Sequence, residues 1–207
     1  MSSLNETQTK PSRRERQREE TRRDLALIGL DLASERGLAN VRVPEIAAAA
    51  GVSTRTFNNY FPSKEAAIAW PAMRRFTRIA NTLLARPGDE PLRGALLATI
   101  RDLYAAPPDP DQPTSWVGKF RLLAATEPTL RAEYLRISDA GEQVVARAIA
   151  ERIGAGENEL RPKVLAAMVM GAERAAIRHW MNNTDGSAPL VDTVGAAVRE
   201  ALKEVEK

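Results

Sequence analysis

Residues 43–68 read VPEIAAAAGVSTRTFNNYFPSKEAAI, and the fold turns on how the middle of that stretch is read. Val43, Ile46, Ala47 and Ala50 recur at three- and four-residue spacing, the stripe of one helical face. Gly51 follows at once, where a glycine takes the left-handed conformation that closes a helix without steric cost. Ser53 stands where an N-cap hydroxyl satisfies free amides, and Thr54–Tyr60 form a short second helix. Phe57 and Tyr60 face inward on it, leaving Arg55, Thr56, Asn58 and Asn59 to other faces. Pro62 and Ser63 end that helix, and Glu65 suits the N-terminal dipole of the next. The pattern is helix, tight turn, helix.

Outward from this segment the chain is helical in both directions. Upstream, Leu25, Ile28, Gly29, Leu32 and Ala33 predict a helix from Thr21 to near Gly37. Downstream, a long helix runs to about Arg86, with a kink expected at residues 67–71 because Pro71 cannot donate to the carbonyl of Ala67. Further helices follow at Leu92–Tyr104, around Trp116–Ala124, from Leu130 to a stop at Gly154 and Gly156, from Pro162 to Trp180, and from Leu190 to Val205. Proline-rich AAPPDPDQPTS at 105–115 and NNTDGSAP at 182–189 read as loops. No strand alternation or internal repeat appears. The expectation is an all-α chain of about nine helices: a disordered basic arm at 1–17, a three-helix helix-turn-helix domain at 18–65, and a helical bundle at 66–207.

Composition agrees. Hydrophobic residues are 43% of the chain and aromatics only 5%, which favours helices over a sandwich or barrel. With no cysteine, disulfides, thiolate metal sites and a cysteine nucleophile are excluded. The longest apolar run, VLAAMVMGA at 164–172, falls far short of the roughly 20 residues that cross a bilayer, and the N-terminus lacks a secretory apolar stretch, so a cytoplasmic location is expected. Net charge is only +3, but Lys10, Arg13, Arg14, Arg16, Arg18, Arg22 and Arg23 face only Glu15, Glu19 and Glu20 in one short segment. Such an arm either solubilises the chain or is drawn to phosphate and the minor groove.

A helix-turn-helix needs a small residue facing the second helix, a glycine turn, and apolar anchors that leave the outer face of the second helix for a DNA groove. Ala47, Gly51, Val52, Phe57 and Tyr60 supply these. The whole of residues 43–68 resembles the DNA-binding segment of the TetR family of bacterial transcriptional regulators: a Gly-Val-Ser turn, an aromatic-rich recognition helix ending in Tyr-Phe, and the junction Phe61-Pro62-Ser63-Lys64-Glu65. There are two departures. Arg42 stands where the family commonly has a Thr cap, so a guanidinium takes over from the hydroxyl contact to phosphate; and Asn58 stands where an aromatic is usual.

The resemblance implies a ligand-responsive transcriptional regulator, most often a repressor, that binds a pseudo-palindromic double-stranded DNA operator as a homodimer and is released by a small-molecule effector. On the recognition helix, Asn58 and Asn59 either read adenine edges through their amides or are simply solvated, and Arg55, with Thr56 beside it, pairs with guanine. Thr54, Tyr60, Lys64 and Arg42 are candidates for phosphate contacts, though Tyr60 also reads as a core residue whose hydroxyl reaches the edge. The apolar stripes of the last two helices, with Ala166, Ala167, Gly171, Ala172, Ala175 and Ala176, suit close helix packing, within one chain or, as the resemblance implies, across a dimer.

Trp70, Met73, Phe76, Tyr104, Trp116, Phe120, Tyr134, Met168 and Trp180 spread over the middle helices, as core residues or as the lining of an effector pocket, with Gly141 leaving room. The C-terminal half resembles the subgroup typified by the mycofactocin-system regulator, implying an acyl-CoA-like or other long apolar effector in a tunnel with a basic mouth. No cofactor or metal is expected. His179 is the sole histidine and has no metal-spaced or catalytic companions, which argues against an enzyme. The competing reading is a DNA-binding architectural protein without an effector, recognisable by a pocket-free bundle.

Overall fold

The computed structural model describes residues 12–105, 114–156, 158–182 and 189–205. Among them lie α1 (Arg13–Arg36), a 3-10 turn at Leu38–Asn40, α2 (Val43–Ala49), α3 (Thr54–Tyr60), α4 (Lys64–Leu84), α5 (Leu92–Ala105), α6 (Thr114–Thr126), α7 (Pro128–Ile153), α8 (Leu160–Asn182) and α9 (Leu190–Ala201), with no strand among the described residues. The chain is all-α, as its patterning requires. It divides into two compact units, one ending at Ile68 and the other beginning at Ala69, three residues beyond the expected boundary.

The first unit corrects the reading of the N-terminus. Residues 1–11 of the expected arm lie outside the described residues, but Arg13–Gln17 are not an irregular tail: they form the first turns of α1. The cause is a capping box. Ser12 Oγ accepts from the Glu15 amide at 3.2 Å, while the Ser12 amide donates to Glu15 Oε2 at 2.7 Å, so two otherwise orphaned donors are satisfied reciprocally. The buried face of α1 is Leu25, Ala26, Gly29, Leu30 and Ala33, so Ala26 and Leu30 take the places expected for Ile28 and Leu32. Gly29 lets the helices close up, since a Cβ there would stand 3.2 Å from Ile68 Cγ1 and 3.4 Å from Ile46 Cδ1. Around it Leu25, Leu30, Leu38, Ile46, Phe57 and Ile68 are each no more than 1% exposed.

In the second unit α8 packs against α7 and α9, α5 against α9, and α6 against α7. Leu96, Ile149, Val169, Ile177, Val194 and Val198 are sealed in its core. α4 is continuous from Lys64 to Leu84 across the segment where a kink is expected. The turn between α4 and α5 is closed from α7: the Arg152 guanidinium donates to the carbonyls of Leu83, Arg86, Pro87 and Glu90 at 2.6–3.3 Å. On α8 the buried stripe is rotated from the expected one. Pro162, Leu165, Ala166, Val169, Met170, Glu173, Ala176 and Ile177 face inward, while Met168, Ala172 and Trp180 are half-buried. No helix among the described residues is long and apolar enough to cross a membrane.

Candidate nucleic-acid interface and buried polar cavity

The turn before α3 is built as its sequence demands. Gly51 has φ +70°, the Gly51 amide donates to the Ala48 carbonyl at 3.0 Å and the Val52 amide to the Ala47 carbonyl at 2.9 Å, the paired closure of a Schellman motif. Ser53 Oγ accepts from the Thr56 amide at 3.1 Å and lies 2.9 Å from Thr56 Oγ1, so the Thr56 hydroxyl takes part in the cap. Phe57, wholly buried and 5.9 Å from the Phe61 ring, fixes the roll of α3. Thr54, Arg55, Asn58 and Asn59 are consequently exposed, and Tyr60 is half-buried.

The start of α1 lies alongside this helix. Arg18 and Arg22 each stand 5.9 Å from the centre of the Tyr60 ring, within cation–π range. Arg13, Arg14, Gln17, Arg18, Thr56, Asn59 and Tyr60 line an open cleft of about 640 Å³. Among the described residues three guanidiniums and no carboxylate line it, a field that attracts phosphate. The sequence identified the basic segment; that it is helical and borders α3 follows from the capping box at Ser12 and Glu15.

Two other expected phosphate contacts separate. Arg42 is exposed at the start of α2, where Glu45 Oε2 accepts from its backbone amide at 2.8 Å. An arginine side chain has only donors, so Glu45 does the capping and the guanidinium faces outward work. Lys64 differs from its reading as an outward phosphate contact: its ammonium donates to the carbonyls of Leu38 at 2.6 Å and Val41 at 2.8 Å. The Leu38 carbonyl also accepts from the Val41 amide at 3.3 Å, and the Lys64 ammonium adds a second donor to it and one to Val41 at the end of the 3-10 turn.

The second unit holds a small cavity lined by Ala72, Arg75, Phe76, Trp116, Val117, Phe120, Arg121, Tyr134 and Glu173, with room of about 20 Å³ for water-sized occupants. Of the nine expected pocket residues, Phe76, Trp116, Phe120 and Tyr134 meet here. Tyr104 joins through its hydroxyl, which donates to Glu173 Oε1 at 2.9 Å. Trp70, Met73, Met168 and Trp180 do not line it; Met168 borders instead an open groove with Leu160, Val164, Leu165 and Val205. Nor does Gly141 leave room: an added Cβ would fall 2.1 Å from Phe76 Cδ2, so the glycine is the seat of the Phe76 ring.

Sequence reading missed the charged members. Arg75 Nη2 hydrogen-bonds both Tyr104 and Glu173, and the Arg75 guanidinium stands 4.8 Å over the Tyr104 ring. The Arg75 and Glu173 side chains are only 12% and 6% exposed. Burial pushes the Glu173 carboxyl up to about 8, against the pull of the Arg174 guanidinium, and lowers Arg75 to about 9, which leaves that guanidinium charged at neutral pH. Burial also lowers Arg121, whose Nη2 is 3.5 Å from the Tyr134 hydroxyl. A signal did exist: Glu173 falls in register with Leu165, Val169 and Ala176, a carboxylate on an apolar stripe.

A Schellman turn, a capped short helix anchored by one aromatic, and an outward set of guanidinium and amide groups define a helix-turn-helix DNA-binding regulator. Residues 29–68 match the family model described as bacterial regulatory proteins, tetR family, and residues 90–206 match the MftR C-terminal domain. The chain is 31% identical to the HTH-type transcriptional regulator TcmR of Streptomyces glaucescens, over 97% of this chain and 91% of that one. It is 28% identical to the putative mycofactocin biosynthesis transcriptional regulator MftR of Mycobacterium tuberculosis, over 90% and 91%. In fold it is similar to Thermus thermophilus FadR, a TetR-family repressor solved in complex with lauroyl-CoA, with TM-score 0.51, 20% identity, and coverage of 90% of this chain and 95% of that one. The chain belongs to the TetR family of transcriptional regulators, a family of regulators and not of enzymes.

Proposed function

We propose that the protein is a ligand-responsive repressor that binds a pseudo-palindromic operator as a homodimer and leaves it when a small molecule occupies the second unit. The observation that carries this reading is the outer face of α3, where Arg55, Asn58 and Asn59 are exposed on a helix whose roll is set by buried Phe57. Arg55 pairs with a guanine edge and at least one asparagine amide with adenine. Thr54, Arg42 and Tyr60 contact phosphates, joined by Arg13, Arg14 and Arg18 from α1; Thr56 acts chiefly through the cap, and Lys64 has only its remaining N–H to offer.

Dimerisation through α8 and α9 is supported by an outward stripe on α8, with Leu160 73% and Val164 44% exposed. Exposed Ala167 and Ala175 and half-buried Gly171 lie on the same helix. A two-fold axis there would set the two reading helices about 34–36 Å apart, one turn of duplex. The effector is a small molecule. An acyl-CoA-like ligand is favoured by the resemblance to MftR and by the lauroyl-CoA of the FadR neighbour; the cavity among the described residues, about 20 Å³, is too small to hold one as it stands, which keeps the architectural reading without an effector as the alternative.

DNase footprinting on the DNA flanking the protein's own gene separates the readings. The regulator reading expects two protected blocks one turn apart that disappear with an effector. Protection without sequence preference, lost only with salt, would favour the architectural protein.

A further inference from the structure

The cavity of the second unit is closed by charge as much as by hydrocarbon. Its lining holds donors in excess: the guanidiniums of Arg75 and Arg121, the Tyr134 phenol, and the Trp116 indole N–H. Trp116 is 4% exposed, and its Nε1 is buried with no hydrogen-bond partner among the described residues. An indole N–H is a donor only, so what would satisfy it is an acceptor. Among the described residues Glu173 is the one carboxylate in the lining, and its Oε1 already accepts from both Arg75 and Tyr104.

Cations outnumber carboxylates around the cavity. Arg78 acts on Arg75, and Arg174 and Arg178 act on Arg121; Arg174 also pairs with Glu142 at 2.6 Å. The walls are flat rings. Trp116 and Phe120 stack at 4.5 Å and 11°, and Phe120 meets Tyr134 edge-on at 5.3 Å and 65°. Since about 20 Å³ admits roughly one water, a larger occupant enters only if a group already there gives up its place and the lining rings move apart.

We propose that Arg75, Arg121 and Trp116 anchor a flat aromatic acid, whose carboxylate or phenolate takes Arg75 from Glu173 while its ring joins the Trp116–Phe120–Tyr134 ladder. The proposal rests on the effector-responsive reading above and names the effector's class. Glu173 is then an internal stand-in for the ligand's acid group. Burial, which raises its carboxyl to about 8, makes a neutral, displaced Glu173 accessible near pH 7, so that two anions need not share the site.

The test is calorimetric titration of the full chain with 2-naphthoate, 2-naphthamide and lauroyl-CoA. Naphthoate is expected to bind at least about tenfold more tightly than the isosteric neutral amide, a charge-assisted contact's share. Arg121→Gln weakens naphthoate about fivefold or more and naphthamide less, and Trp116→Phe, which keeps a ring and loses the N–H, weakens naphthoate about fivefold or more. Glu173→Gln tightens naphthoate above about pH 8, where the wild-type carboxylate is ionised and competes for Arg75; a merely structural Glu173 would not give this pH dependence. Equal binding of the amide, binding of lauroyl-CoA alone, no binding of naphthoate, or weakening by Glu173→Gln each overturns the proposal. A parallel footprint keeps the two claims apart. If naphthoate binds as expected and the DNA stays protected, the effector reading fails and the cavity chemistry stands; if lauroyl-CoA clears the DNA and naphthoate does not bind, the reverse holds.

Discussion

The reading face of α3 and the cavity of the second unit are built by opposite strategies. On α3 every determinant is local: Gly51, Ser53 and Phe57 lie within a few residues of the groups they position, and those groups point away from the protein. In the cavity Arg75, Tyr104 and Glu173 come from α4, α5 and α8, with Arg75 and Glu173 98 positions apart in the chain, and they point at each other. A local device survives the loss of one outward group with its fold intact. A dispersed one couples every substitution to packing, so binding and stability move together.

That contrast is sharpest for Arg55→Ala. Bidentate guanine contacts are worth about 1–3 kcal/mol each, and a dimer loses two, so operator affinity is expected to fall about 30- to 10⁴-fold while the thermal unfolding of the chain stays where it was. A loss of stability alongside affinity would break the comparison. Lys64→Met is next and runs the other way. It removes the ammonium from the Val41 carbonyl and from the Leu38 carbonyl, which keeps the Val41 amide; this costs about 1–3 kcal/mol of stability, seen by urea unfolding, with little change in the salt dependence of DNA binding. A drop in salt slope of about 1 per subunit would restore Lys64 as a phosphate contact.

In the second unit Gly141→Ala must dislodge the Phe76 ring, at a cost of about 1–3 kcal/mol for overpacking, and it should alter ligand binding as well, because Phe76 lines the cavity. The smallest effect is a pH slope. The Glu173 carboxyl is raised from 4.5 to about 8; between those values the unfolded chain has ionised it while the folded chain keeps the proton, so stability falls as pH rises through the window and levels off above it. Glu173→Gln removes that slope. The difference in unfolding free energy between wild type and variant should change by on the order of 1–3 kcal/mol from pH 5 to pH 8; parallel profiles would show that the Arg75 contact holds the carboxylate ionised.

Legibility in the sequence follows the same division. The turn, the cap and the outward set on α3 were readable because each rests on residue type at fixed short spacing. The capping box at Ser12 and Glu15 was equally local, yet the polar, basic composition around it suggested an irregular arm; two reciprocal hydrogen bonds outweighed composition. The inward bonds of Lys64 were not readable, because the carbonyls it donates to lie 26 and 23 residues away. The cavity was half readable. Periodicity places Phe76, Trp116, Phe120 and Tyr134 inside and puts Glu173 on the apolar stripe of α8, but residue type reads Arg75 and Glu173 as surface charges, since what makes their burial tolerable is a partner on a distant helix.

The most direct test is methylation interference at guanine N7 on the bound DNA, comparing wild type with Arg55→Ala. The account predicts guanines, symmetric in two half-sites one helical turn apart, whose methylation blocks wild-type binding and has no further effect on the variant. Interference confined to a single block, or identical for both proteins, would contradict a duplicated α3 that reads bases through Arg55.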